Sequence, residues 1–134
     1  MPEIAAFVKH GATLMNPLTL EKVMKEIPMW KASFTQIHAD NYPHLVDQLM
    51  FLASLVEDVG EGAYKELPYV TLAEAMFALI YSQRSVDIIP DTIPKFGFAD
   101  ESSVVRAVLI HNERPLMAYA KKVHQDWKKI TNRP

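Results

Sequence analysis

Apolar residues recur every three or four positions along most of the chain, which is the spacing of one face of an α-helix. No segment shows the apolar–polar alternation of a β-strand. Asn16 and Pro17 have the form of a helix cap followed by a first-turn proline, and Pro28 is expected to kink or end that helix. A second helix is then expected to run to about Ala39. The apolar face of these two helices comprises Leu20, Val23, Met24, Ile27, Trp30, Phe34 and Ile37.

The same spacing predicts three further helices. One follows Pro43 and is expected to end near Gly60 and Gly62, because glycine is favoured just beyond a helix C-terminus. Another follows Asp100, which stands where an N-cap residue is favoured. Pro115 begins a last helix. Its apolar side comprises Leu116, Tyr119, Ala120, Val123, Trp127 and Ile130.

The most apolar helix is predicted to lie at the centre. It opens with TLAE at Thr71, which has the form of a capping box in which Thr71 caps the helix and Glu74 reaches back to it. From there to Arg84 the sequence is apolar almost all round, as expected of a buried helix. The chain is therefore predicted to be all-α, a single domain over residues 1–134. Its architecture is an irregular or orthogonal bundle of about six helices around this central one.

Composition narrows the class of protein. The chain has 134 residues, of which 49% are hydrophobic and 22% are charged, a balance typical of one globular domain. Cysteine does not occur, which excludes disulfides, thiolate metal sites and a cysteine nucleophile, and favours a cytoplasmic location. The longest apolar run, Val70 to Tyr81, is shorter than the ~20 residues that cross a bilayer. The start also lacks the apolar stretch of a secretory signal.

Charge is distributed unevenly. Residues 57–101 hold nine Asp/Glu against three Lys/Arg, whereas residues 102–134 hold seven Lys/Arg against two Asp/Glu. The basic end could contact an anionic membrane surface, or it could simply place cations near a helix C-terminus. Nucleic acid is not expected as a partner, because Asp126 interrupts the basic patch and the pI is about 6.2.

The stretch SVDIIPDTIPKFGFADE, residues 85–101, combines carboxylates with prolines and apolar residues. Its acids are Asp87, Asp91, Asp100 and Glu101. Oxygen-only ligands suit Mg²⁺, Ca²⁺ or Mn²⁺, so these carboxylates form a candidate cation site. The alternative is that the aspartates cap short helical turns, a role that needs no ligand. No cofactor is required by any other motif.

This stretch resembles the YkvA-like family, a bacterial family of unknown function. The resemblance rests on Tyr81, Asp87, Ile88, Ile89, Pro90, Asp91, Ile93, Pro94, Gly97, Asp100 and Glu101. It implies a helical domain with a core over about residues 45–112, in which Tyr81, Pro90, Pro94 and Gly97 are structural. The chain departs from the family pattern where Glu101 replaces an aspartate and where the usual Ser-Pro before Asp87 is missing.

Three functions follow from these observations. The first is a non-enzymatic interaction or scaffold domain with a protein partner, favoured because no recognised catalytic motif occurs. The second is a cation-binding protein or hydrolase that uses Asp87, Asp91, Asp100 and Glu101. The third is a peripheral membrane protein that uses the basic C-terminal helix. The sequence leaves enzymatic activity open, although the lack of a recognised catalytic motif argues against it. The sequence identifies neither catalytic residues nor an oligomeric state.

Overall fold

The computed structural model describes residues 2–36, 44–83 and 101–131, and it confirms an all-α fold in which no strand occurs within those ranges. The described helices number seven, against the six predicted. They are α1 (Pro2–Thr13), α2 (Pro17–Phe34), α3 (Leu45–Gly60), α4 (Tyr69–Gln83), α5 (Glu101–His111), α6 (Glu113–Lys122) and α7 (Trp127–Thr131). None of these helices combines the length and the apolar character needed to span a membrane.

Helix α4 is the centre of the bundle, as its composition predicts. Every residue from Thr71 to Tyr81 is buried, and α1, α2, α3 and α5 all pack against this helix. An amphipathic helix needs only one covered face, whereas a helix that is apolar all round is stable only when it is surrounded. The apolar residues of α4 therefore determine where the other helices lie.

The N-terminal helix α1 was not predicted. It packs against α4 through Phe7, whose ring contacts those of Phe77 and Tyr81 at centroid distances of 5.4 Å, both in edge-to-face geometry. Gly11 lies directly over the Phe77 ring, so a Cβ atom there would approach the ring carbons to 2.2–2.5 Å. The close contact between the two helices therefore depends on this glycine.

Helix α2 runs without interruption from Pro17 to Phe34, so Pro28 does not end it, and the prediction of two separate helices is wrong. Pro28 lies on the exposed side, where water can solvate the carbonyl that loses its amide partner. On the other side, Trp30 and Phe34 are buried. Burial of two such large side chains contributes roughly 3 to 6 kcal/mol, which exceeds the cost of about 3 kcal/mol for an interior proline. The predicted end at Ala39 lies outside the described residues.

The C-terminal segment forms two helices, α6 and α7, where one was predicted. Helix α6 ends at Lys122, and two residues further on His124 adopts a left-handed backbone conformation with φ of 61°. The amide of Gln125 then donates to the Ala120 carbonyl (2.8 Å) and that of His124 to the Lys121 carbonyl (3.2 Å). These two bonds are the Schellman helix ending. The same pair of bonds follows the end of α3, where the left-handed residue is Gly62 with φ of 80°. This confirms the predicted end of that helix near Gly60 and Gly62.

Candidate functional site

Most of the predicted acidic motif lies outside the described residues. This applies to Asp87, Asp91 and Asp100, and also to Pro90, Pro94 and Gly97. Glu101 is the first residue of α5, and Tyr81 is buried in α4. Whether the acids bind a cation or cap helices therefore stays a prediction. Within the part of the chain that is described, no group of three or more acidic or histidine side chains could hold a metal ion.

The described residues form an open cleft of about 650 Å³ between α3 and the α6–α7 segment. Its floor is apolar and comprises Met50, Phe51, Val123 and Ile130. Its rim is charged and comprises Asp47, Glu57, Asp58, Asp126 and Lys129. Known ligand sites have volumes of about 300 to 1,000 Å³ and combine an apolar lining with a few polar groups. The volume of the cleft lies in that range, whereas seven of its twelve lining residues are polar or charged.

One face of α3 supplies half of the cleft. Its lining positions are 47, 50, 51, 54, 57 and 58, which are spaced by three and four residues and so share a helix face. Asp47, Ser54 and Asp58 were predicted to lie on the polar side of this helix, and they line the cleft. The polar side of α3 therefore lines the cleft.

A cluster of aromatic rings supports the cleft from below. The Phe51 ring packs edge-to-face against those of Tyr119 and Trp127, at centroid distances of 5.5 and 5.9 Å. Tyr64 packs against Tyr119 from the other side at 5.0 Å. Phe51 and Tyr119 are almost fully buried, so the floor of the cleft is continuous with the hydrophobic core.

Tyr119 and Asp58 form the most polar contact in the cleft. The Tyr119 hydroxyl donates to Asp58 Oδ2 over 2.5 Å. Burial, and then the hydrogen bond to Asp58, raise the pKa of Tyr119 well above its usual value. The phenol therefore keeps its proton at neutral pH and remains a donor to the carboxylate.

Glu57 is also paired. Lys31 Nζ in α2 contacts Glu57 Oε1 at 2.5 Å and donates to Ser54 Oγ at 3.3 Å. This pair links α2 to α3 at the edge of the cleft. Asp47 and Asp126 are the exposed carboxylates of the rim.

The α6–α7 turn closes the other side of the cleft. The left-handed conformation of His124 reverses the chain, and Gln125 and Asp126 follow on the rim. Asp126 also caps α7, because its Oδ1 accepts from the amide of Lys128 at 3.0 Å. Asp126 thus has two roles, one in the fold of the turn and one in the charge of the cleft.

A second polar cluster joins α4 to the α5–α6 junction. The Glu74 carboxylate is completely buried, and His111 Nδ1 lies 2.9 Å from both of its oxygens. Asn112 Nδ2 donates to Glu74 Oε1 at 2.9 Å and also to the Val108 carbonyl. The Thr71 hydroxyl donates to Asn112 Oδ1 at 2.9 Å. We call Thr71, Glu74, His111 and Asn112 the α4–α5 network.

This network shows that the predicted capping box is wrong. Helix α4 begins earlier than its TLAE sequence, and the amides of Thr71 and Leu72 both donate to the Pro68 carbonyl. Thr71 is therefore inside the helix, and its side chain turns to Asn112 instead of capping. Among the described side chains, no buried polar atom lacks a hydrogen-bond partner. The buried polar atoms of the network are therefore all hydrogen-bonded. Its role is to fix the α5–α6 junction on α4.

Comparison with known proteins adds no relative: no family model, no curated protein and no solved structure matches this chain. The resemblance to the YkvA-like family therefore stays a prediction.

Proposed function

We propose that this chain is a non-enzymatic interaction domain that binds a partner protein in the cleft between α3 and the α6–α7 segment. The observation that carries the proposal is the cleft itself, with its apolar floor and charged rim. An apolar centre surrounded by polar groups is the arrangement of protein-binding sites, where the centre excludes water and the rim selects the partner.

The paired state of the cleft's side chains supports binding over catalysis. Tyr119 is held as a neutral donor to Asp58, and Glu57 is matched by Lys31. General acid–base catalysis needs a group that gains or loses a proton near neutral pH. The raised pKa of Tyr119 makes that role less favourable for this residue.

The proposal includes neither nucleic acid nor a membrane surface as the partner. Both would require a continuous basic patch. Lys122 is instead paired with Glu66 at 3.1 Å and lies 5.1 Å above the Tyr64 ring, while Lys129 is on the cleft rim. We also infer a cytoplasmic location, for which the absence of cysteine from the sequence is the support.

Site-specific photo-crosslinking in the native host tests this proposal. A photoreactive amino acid replaces Gln125 on the cleft rim in one variant and the exposed Glu21 of α2 in the control. We expect a discrete crosslinked species of higher mass from position 125 that position 21 does not give. Absence of such a species from position 125, or the same species from both positions, would contradict binding in the cleft.

A further inference from the structure

We infer that the cleft takes a basic segment of the partner protein, in which an arginine or lysine side chain lies beside an apolar one. This inference depends on the proposed function, because it names the partner chemistry of the same cleft. It follows from the charge of the rim and from the nature of the floor, which are independent properties of the site.

The rim attracts a cation. Four carboxylates and a single lysine line the cleft. Lys31 neutralises Glu57, but Asp47 and Asp126 are exposed, and the neutral phenol of Tyr119 leaves the charge of Asp58 unchanged. A surface concavity lined mainly by one sign of charge raises the local concentration of the opposite ion. A partner with a positive side chain is therefore favoured over an acidic one.

The floor requires more than charge. Met50 and Val123 are half-buried, and Phe51 and Ile130 are buried beside them, so the base of the cleft is apolar. Arginine and lysine lay their methylene stems along apolar surfaces while the charged end reaches a polar rim. An apolar neighbour in the partner segment would cover the remaining floor, and the flexible Met50 side chain can adapt to its shape.

The same features argue against a bare metal ion. The described part of the chain brings no three acidic or histidine side chains into metal-binding geometry. A small ion would also leave the apolar floor uncovered. A guanidinium group, in contrast, can pair with two carboxylates at a distance from each other through its several N–H donors.

Binding of defined peptides tests the inference. The probe is fluorescein-labelled, capped Ala-Leu-Arg-Leu-Ala, compared by fluorescence anisotropy with the peptides that carry Gln or Glu in place of Arg. A fourth peptide, Ala-Ala-Arg-Ala-Ala, tests the apolar contribution. We expect the Arg peptide to bind about fivefold or more tightly than the Gln peptide, because its guanidinium can pair with two carboxylates and each partly exposed ion pair contributes up to about fivefold. The Glu peptide and the all-alanine Arg peptide should bind more weakly still.

Matched protein variants locate the effect in the cleft. Asp126→Asn removes a rim charge but keeps the α7 cap, because asparagine caps as well as aspartate. Asp47→Asn removes the other exposed charge of the rim. Each should weaken the Arg peptide about threefold to fivefold and leave the Gln peptide unchanged, whereas Glu21→Gln outside the cleft should have no effect. Thermal unfolding of every variant should coincide with that of the wild type within a few degrees.

The outcomes separate this inference from the proposed function. A partner crosslinked from position 125, combined with equal binding of the Arg, Gln and Glu peptides, would overturn the basic segment and leave the interaction domain intact. A crosslink from position 125 to a second copy of this chain would also overturn it, because the occupant would then be the chain itself. Absence of both the crosslink and peptide binding would overturn the two together.

Discussion

Substitution of Asn112 by aspartate tests the donor and acceptor pattern of the α4–α5 network. Asn112 donates to the Glu74 carboxylate and to the Val108 carbonyl, and it accepts from the Thr71 hydroxyl. Asn112→Asp has almost the same shape as the wild-type side chain, but it replaces the donor with a second carboxylate. The hydrogen bond at 2.9 Å to the fully buried Glu74 then becomes a contact between like charges.

The expected cost follows from protonation. Two carboxylates in such contact cannot both be charged, so one of them takes up a proton. At pH 7, protonating a carboxyl group with an ordinary pKa of about 3.9 costs about 4 kcal/mol, whereas at pH 5 it costs about 1.5 kcal/mol. In this variant the folded state binds a proton that the unfolded state has released. The loss of stability should therefore grow as pH rises from 4 to 7.

Urea unfolding followed by circular dichroism measures the free energy of unfolding of Asn112→Asp and of the wild type at pH 5 and at pH 7. The double variant Asn112→Asp/Glu74→Gln should recover part of the loss at pH 7, because the amide introduced at position 74 can donate to the carboxylate at position 112. The Val108 carbonyl still lacks its donor in this variant. Asn16→Asp is the matched control. Asn16 caps α2 by accepting from the Thr19 amide at 2.9 Å, and aspartate accepts equally well there. A loss of less than 1 kcal/mol in the free energy of unfolding at pH 7 would contradict repulsion between the carboxylates at positions 74 and 112. A double variant no more stable than the single one would also contradict it.

Four further substitutions test the fold around the core and the cleft. Gly11→Ala should lower the free energy of unfolding by about 2 kcal/mol, because its Cβ would overlap the buried Phe77 ring. Gly60→Ala meets only a flexible methionine side chain and should cost less; equal losses in thermal unfolding would contradict this packing. His124→Gly should raise the free energy of unfolding by about 1 kcal/mol by relieving the left-handed strain, and a lower melting temperature would argue against that conformation. Tyr119 has a raised pKa, so stability should fall as pH rises above about 10, where the unfolded state ionises first; Tyr119→Phe should make that fall shallower, and an unchanged slope would contradict it.

Local patterns in the sequence predicted much of the fold. The periodicity of apolar residues identified α3 and its end at Gly62, and the all-apolar character of α4 identified the centre of the bundle. The N-terminal helix α1 was missed although its signal was present, since Phe7, Val8 and Ala12 follow helical spacing and pack in or against the core.

The polar sites could be predicted only in part, because they depend on contacts between distant segments. Glu74 follows Thr71 at the spacing of a capping box, and nothing local shows that its partners are His111 and Asn112, at least 37 residues further along the chain. The polar positions of α3 were predicted correctly. That they face α6 and α7 across a cleft depends on how the helices pack, which periodicity does not specify. The left-handed turn at His124 lacks the glycine that usually marks such a position.

Binding of a basic segment in the cleft between α3 and the α6–α7 segment is tested most directly by mapping where the peptide binds. Two-dimensional ¹H–¹⁵N spectra of the protein, recorded with and without unlabelled, capped Ala-Leu-Arg-Leu-Ala, report on each backbone amide. We expect shift changes concentrated at positions 47–58 of α3 and at positions 119–130 of the α6–α7 segment. The Asp126→Asn variant should show smaller changes at the same positions. Changes centred elsewhere on the bundle, or none at millimolar peptide, would contradict a binding site in this cleft.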